Sequence, residues 1–158
     1  MSRYTPNPSN VTATFETFPK GDYEFTMGKP KAFQKTEKKG DVETVVNFGV
    51  RVPLTINEGQ YKGKKTSVAL YFHNDGSESA SKRFQMAAFG FKNNADAERE
   101  FNLRAAELDW SFDQETGDVS DDWKQFEGKQ IVGVLDVDKN KNTGEPMQQF
   151  KSWRPIGG

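Results

Sequence analysis

The side chains best suited to chemistry in this 158-residue chain are cations and flat rings, not nucleophiles. A cation on a strand can hold phosphate oxygens, and an exposed ring beside it can stack a base. Arg51 is the lone cation of the strand-like run Thr44–Leu54, and Asn47 shares its face. Tyr71 stands opposite the stripe Val68, Leu70 and Phe72 in the next strand. Lys29, Lys31 and Phe33 sit where the first strand runs into its loop, and Lys65 leads into the third strand. Lys139 and Lys141 lie in the last hairpin loop, and Lys151 and Trp153 are expected on one face of the final strand. Phe33 stands out because a ring in a polar loop needs a reason to be exposed. His73 has no partner cluster and reads as a surface residue rather than a proton shuttle.

The motifs that carry reactions are missing or incomplete. There is no cysteine, hence no disulfide framework and no thiolate. No glycine-rich phosphate loop and no Ser/His/Asp set beyond chance is present. Asp136–Asn142 imitates the start of a calcium loop, but Lys141 replaces the glycine of position six and Met147 the glutamate of position twelve. The acidic residues Asp109, Asp113, Glu115, Asp118, Asp121 and Asp122 could hold Mg²⁺ for nuclease chemistry. Such sites usually draw carboxylates from rigid strands, whereas these share one connection. The expectation is a non-enzyme that needs no cofactor or metal.

The elements that must position these residues follow from periodicity. Tyr23, Phe25 and Met27 alternate with Glu24 and Thr26 in a strand from Gly21 to Met27. Gly28 and Pro30 interrupt it, and Lys35–Asp41 reads as a charged loop. Thr44–Leu54 is the clearest strand, with Val46, Phe48, Val50 and Val52 on one face. Thr66–His73 is the third. Asn74-Asp75-Gly76 breaks the pattern, and helices are expected over about Glu78–Phe89 and Asp96–Leu108, with Asn94 capping the second. An acidic connection over 109–122 holds Trp110 and Phe112, and a short helical turn is expected over Asp121–Phe126. Gln130–Val137 and Met147–Trp153 are the last two strands. Three strands, a helical stretch and two strands is the order of a five-stranded Greek-key barrel, the OB-fold, with helices between strands three and four. We expect an N-terminal arm over 1–19 and one domain over 20–158, with the helical and acidic insertion at about 75–128.

Charge is segregated along this layout. Residues 20–66 hold ten Lys/Arg against six Asp/Glu, residues 67–128 six against thirteen, and residues 129–158 five against three. A neutral chain can therefore carry a positive groove, since local potential attracts a polyanion more than net charge does. The opening residues do not form a signal peptide and no run is long and apolar enough for a membrane helix, so a cytoplasmic location is expected.

Several segments resemble a known group. Gly21-Asp22-Tyr23-Glu24-Phe25 opens the sheet, and Gly59-Gln60-Tyr61-Lys62-Gly63-Lys64-Lys65 turns between strands two and three. Phe126-Glu127-Gly128-Lys129-Gln130-Ile131-Val132-Gly133 re-enters the sheet, and Gln149-Phe150-Lys151-Ser152-Trp153-Arg154-Pro155 closes it. Over roughly residues 20–155 the chain resembles phage-encoded OB-fold single-stranded DNA-binding proteins of replication and recombination modules. The resemblance implies sequence-independent binding of single-stranded DNA, replication or recombination proteins as partners, and the cytoplasm of a bacterial host. It maps the eleven side chains of the first paragraph onto the strand 2–3 face and the loops after strands one and four, the groove of such folds. The chain ends Pro155-Ile156-Gly157-Gly158, unlike the acidic, Phe-tipped tail that recruits partners in bacterial relatives of that group. Homo-oligomerisation is compatible with the sequence. The rival expectation is a protein-interaction module acting through the acidic-aromatic segment 107–127, which carries Trp110, Phe112 and Trp123, and a metal-dependent nuclease is a more distant one.

Overall fold

The computed structural model describes residues 17–72, 74–139 and 141–157. His73 and most of the expected arm, residues 1–16, lie outside the described residues. The elements in order are β1 (Gly21–Met27), β2 (Lys31–Lys39), β3 (Val42–Ile56), β4 (Lys65–Tyr71), α1 (Asp75–Ala88), α2 (Ala95–Ala105), α3 (Asp121–Lys124), β5 (Gln130–Lys139) and β6 (Pro146–Arg154). The chain is mainly β, with its three helices between β4 and β5.

All strand pairs are antiparallel, and they run β2-β3-β1-β5-β6, with β4 also paired to β3. β3 is the hub. Its stretch 49–51 pairs with β2 and β4 at once, and Leu54 and Thr55 pair with β1 and β4. β1 and β2 thus share one edge of β3, and β4 takes the other. The chain crosses between them at Gly28, whose N–H donates to the Pro53 carbonyl at 2.8 Å.

Two expectations need correction here. The expected closed barrel of five strands is a sheet of six, and no ladder joins β4 to β6 among the described residues. The expected loop Lys35–Asp41 is the end of β2 and a tight turn. Its charges disguise a strand that is held by pairing with β3 rather than by burial.

The core sits between the inner face of the sheet and the helices. Phe25, Met27, Val50, Val52, Leu54, Leu70, Ile131 and Leu135 supply the sheet side. Phe84 of α1, Trp123 of α3 and Phe126 close over them. Each such side chain contributes roughly 1.5–3 kcal/mol by leaving water. Alternation holds in β3 from Val50 to Ile56 and fails at the hairpin tip, where Val42 is 65% exposed and Val45 and Val46 also face solvent. The tip extends past the core, so neither face has anything to bury against.

Both longer helices start at an asparagine. The Asn74 side chain accepts from the Ser77 N–H at 2.9 Å, and Asn94 accepts from Ala97 at 2.8 Å. Each satisfies an amide that has no partner within its helix. Asn74 therefore starts α1 at Asp75, three residues before the expected position. The Asn94 cap is as expected. No helix among the described residues is long and apolar enough to cross a membrane.

Candidate nucleic-acid interface

The outer face of β2, β3 and β4 follows from the register. Lys31 pairs with Arg51 and Arg51 with Ala69; Phe33 pairs with Gly49 and Gly49 with Tyr71; Lys35 pairs with Asn47. Paired residues point to the same side of a sheet, and alternate residues of each strand join them. The outward set is Lys31, Phe33 and Lys35 on β2, Asn47 to Thr55 by twos on β3, and Lys65 to Tyr71 by twos on β4. As far as Lys35 it holds four cations, two rings and no carboxylate, and the same alternation brings Glu37 and Lys39 to this side at the tip of β2. The inner set, Ala32, Val50, Val52, Leu54, Val68 and Leu70, is buried.

The centre of this face is a small cluster. The Phe33 and Tyr71 rings meet edge to face, with centroids 5.6 Å apart at 81°. The Arg51 guanidinium lies 5.1 Å from the centre of the Phe33 ring, and its Nη1 donates to Ser67 Oγ at 3.3 Å. Gly49 lies between the two rings in the register. A Cβ there would fall 1.9 Å from the Leu70 carbonyl oxygen, so only glycine fits. Arg51 is thereby held over one ring while remaining exposed, a geometry in which one cation serves both ring and phosphate.

Lys65 and Arg51 both line a cleft of about 590 Å³ between β4 and β6. Its opposite wall is the base of the β5–β6 hairpin, Thr143 and Glu145–Gln148. Lys139 and Lys141, both exposed, belong to that hairpin. The structure therefore brings Lys31, Phe33, Asn47, Arg51, Lys65 and Tyr71 to one face and sets the hairpin lysines beside it. The Asn47 side-chain oxygen is buried and has no hydrogen-bond partner.

Three expected residues fall elsewhere. Lys29 lines a separate cleft of about 380 Å³ against the loop 116–119, where Asp118 and Lys124 also lie. Lys31 leans over Gly117 toward the same cleft and so stands at the border of the two. Lys151 is exposed but does not share a face with Trp153. Val134 pairs with Ser152 and Leu135 with Phe150, so Lys151 is the extra residue of a β-bulge. The bulge turns Phe150 and Trp153 to the same side. Trp153 is 9% exposed and packs on Phe150, Phe84 and Phe25. It is a core residue, with its ring enclosed by others, and it leaves the candidate set. Gly133 makes room for it, since a Cβ there would stand 2.7 Å from the Trp153 ring.

Two outward residues escaped the sequence reading, Lys35 and Ser67. The spacing Lys31, Phe33, Lys35 carried the signal for the first, hidden by its assignment to a loop. Nothing in the sequence marked Ser67.

The acidic connection is arranged in the opposite way. Trp123 is fully buried, and Trp110 and Phe112 are packed against the core. The Trp123 indole donates to the Trp110 carbonyl at 2.8 Å. The carboxylates turn to the loop's own amides: Asp109 accepts from Ser111, Asp113 from Glu115 and Thr116, and Asp122 from Asp109. The Ser111 hydroxyl and then its amide hold Asp109 below the usual carboxylate range. The amides of Thr116 and Glu115 do the same for Asp113. Among the described residues no group of three or more His, Asp or Glu is placed to hold a metal ion.

The fold and this face define a class, a mainly antiparallel β protein with a cationic, aromatic patch on its outer sheet face. No family model matches the chain, and no curated protein matches it.

Proposed function

We propose that the chain binds single-stranded DNA without sequence preference on the outer face of β2–β4. One observation carries this reading, the concentration of four cations and two rings on the stretch of this face between Lys31–Lys35 and β4, where no carboxylate intervenes. Phosphates would lie along Lys31, Lys35, Arg51 and Lys65, with Lys139 and Lys141 extending the track. Bases would stack on Phe33 and Tyr71, each contributing about 1–3 kcal/mol. Stacking of this kind tolerates any base, because every base has a π-face.

In fold terms, we propose that the sheet is an OB-type Greek key whose first strand is bent into β1 and β2. The hub role of β3, the helices before β5 and the cationic face on the β3–β4 side support it. The resemblance noted above suggests a place in phage replication or recombination. Trp123 is fully buried and Trp110 and Phe112 are partly buried against the core, which commits the rings of the acidic segment to the fold and favours the DNA reading over the rival one.

The test is a titration of fluorescent oligo-dT followed by anisotropy, repeated at higher salt. Micromolar or tighter affinity that falls steeply with salt is expected, since neutralised phosphates release counterions. Indifference to the oligonucleotide at low salt would favour a protein partner, and metal-dependent cutting would favour a nuclease.

A further inference from the structure

Among the described residues β4 pairs with β3 and β6 with β5, and no ladder joins the two facing edges. The gap between them holds two clefts that meet at Gln148 and Phe150. One, of about 590 Å³, contains Arg51 and Lys65. The other, of about 670 Å³, is walled by α1 through Ser77 and Ser81 and reaches Tyr71 at the end of β4. Phe150 thus lies between the phosphate-holding cations and the stacking cluster of the outer face.

The surroundings of Phe150 suit it to a base. Its ring is half-buried and stacks on Trp153, with centroids 4.9 Å apart and planes at 21°. Trp153 is in turn braced edge-on by Phe84 at 4.8 Å. The ring is therefore fixed from behind by two buried aromatics while it lines both clefts. A rigid ring loses little freedom when a base stacks on it. Charge argues for the same occupant. Arg51 of β3 and Lys65 of β4 stand on one lip, whereas Glu145, just before β6, stands on the other. A nucleotide entering base first would keep its phosphate at β4, away from the carboxylate. Among the described residues no ladder joins these two edges, so backbone N–H and C=O groups border the gap, with the Tyr71 carbonyl taken by the Ser81 hydroxyl at 2.9 Å. Gln148 is not among these donors, because its amide is already bonded to Phe18 and to the Asp136 carbonyl.

We infer that the β4–β6 seam is a second base site, in which one nucleobase of the bound strand leaves the outer face and stacks on Phe150. This rests on the strand-binding reading above and adds a path for the strand, from Phe33 and Tyr71 across the edge of β4. It makes Phe150, rather than Trp153, the stacking ring of β6.

The test uses the wild-type chain with oligo-dT carrying 5-bromodeoxyuridine at every position, irradiated and mapped by peptide mass spectrometry. Crosslinks are expected in two groups, one at Phe33 and Tyr71 and one at Phe150. In parallel, Phe150→Leu keeps the core side apolar and should weaken oligo-dT binding about fivefold or more, with the thermal midpoint checked. Crosslinks confined to Phe33 and Tyr71, or unchanged affinity in a folded Phe150→Leu, would overturn the seam site and leave outer-face binding standing. Failure of the wild-type chain to bind oligo-dT at low salt would remove both.

Discussion

Two regions of this molecule combine aromatic rings with a strong local charge, and they use them in opposite ways. On the outer face of β2–β4, Phe33 and Tyr71 stand among cations on the solvent side of a sheet. In the connection 109–126, Trp110, Phe112 and Trp123 turn into the core and leave carboxylates outside. The difference teaches that a ring beside charges is a binding group only where its own element has a buried face elsewhere. β2–β4 bury their alternate residues Ala32, Val50, Val52 and Leu70, which leaves Phe33 and Tyr71 on the solvent side. The acidic loop has no such second face, so its rings are its anchor.

That contrast can be broken by substitution. Trp123→Ala should be the most damaging, costing about 3–5 kcal/mol of stability, because it empties a fully enclosed site and removes an indole hydrogen bond. A denaturant melt reads this directly, and a loss below about 1 kcal/mol would contradict the anchoring role. Gly49→Ala should cost roughly 3 kcal/mol, since its methyl group would collide with the Leu70 backbone. It should also disturb the Phe33–Tyr71 contact, visible as shifts in ring proton resonances.

The outer face should respond in binding rather than in stability. Phe33→Ala should weaken oligo-dT affinity by about 1–3 kcal/mol while the melting curve moves little. If melting and binding fall together, the two regions are not distinct in the way described. Arg51→Ala should have a smaller effect, best seen in salt dependence. Losing one phosphate contact should flatten the slope of log affinity against log salt by about 0.7.

The smallest expected effect is in the acidic loop. Asp109 and Asp113 are held below the usual carboxylate range by hydrogen bonds to their ionised forms. A depressed folded value means their support is complete above the ordinary carboxylate range and is lost as pH falls through the folded value. Titration of the side-chain carboxyl carbons by NMR should show midpoints below those of a disordered peptide. Ordinary midpoints would show that the loop amides do not grip them.

Much of the fold was legible where burial writes a period into the chain. Val50, Val52 and Leu54, then Val68 and Leu70, alternate because one side of each strand faces the core. Phe84, Ala87 and Ala88 mark the inner stripe of α1 for the same reason. β2 was not fully legible, because Lys35 to Lys39 bury nothing and are held in place by β3. Trp153 was misplaced because strand alternation was assumed to run unbroken. The bulge at Lys151 depends on how β6 meets β5, which is a property of two strands and not of one.

Residue order alone dictates which stretches become strands and helices in the core, where Asn94 begins a helix, and which segments carry positive charge. These are local matters, decided by side-chain period and by the needs of nearby backbone amides. Packing in three dimensions settles which rings stand on the outer sheet face and which lie against the core, that no ladder joins β4 to β6 among the described residues, and that Phe150 lines both clefts between them. Those outcomes depend on register between strands far apart in the chain, and a one-residue shift in pairing reverses the side to which every ring points.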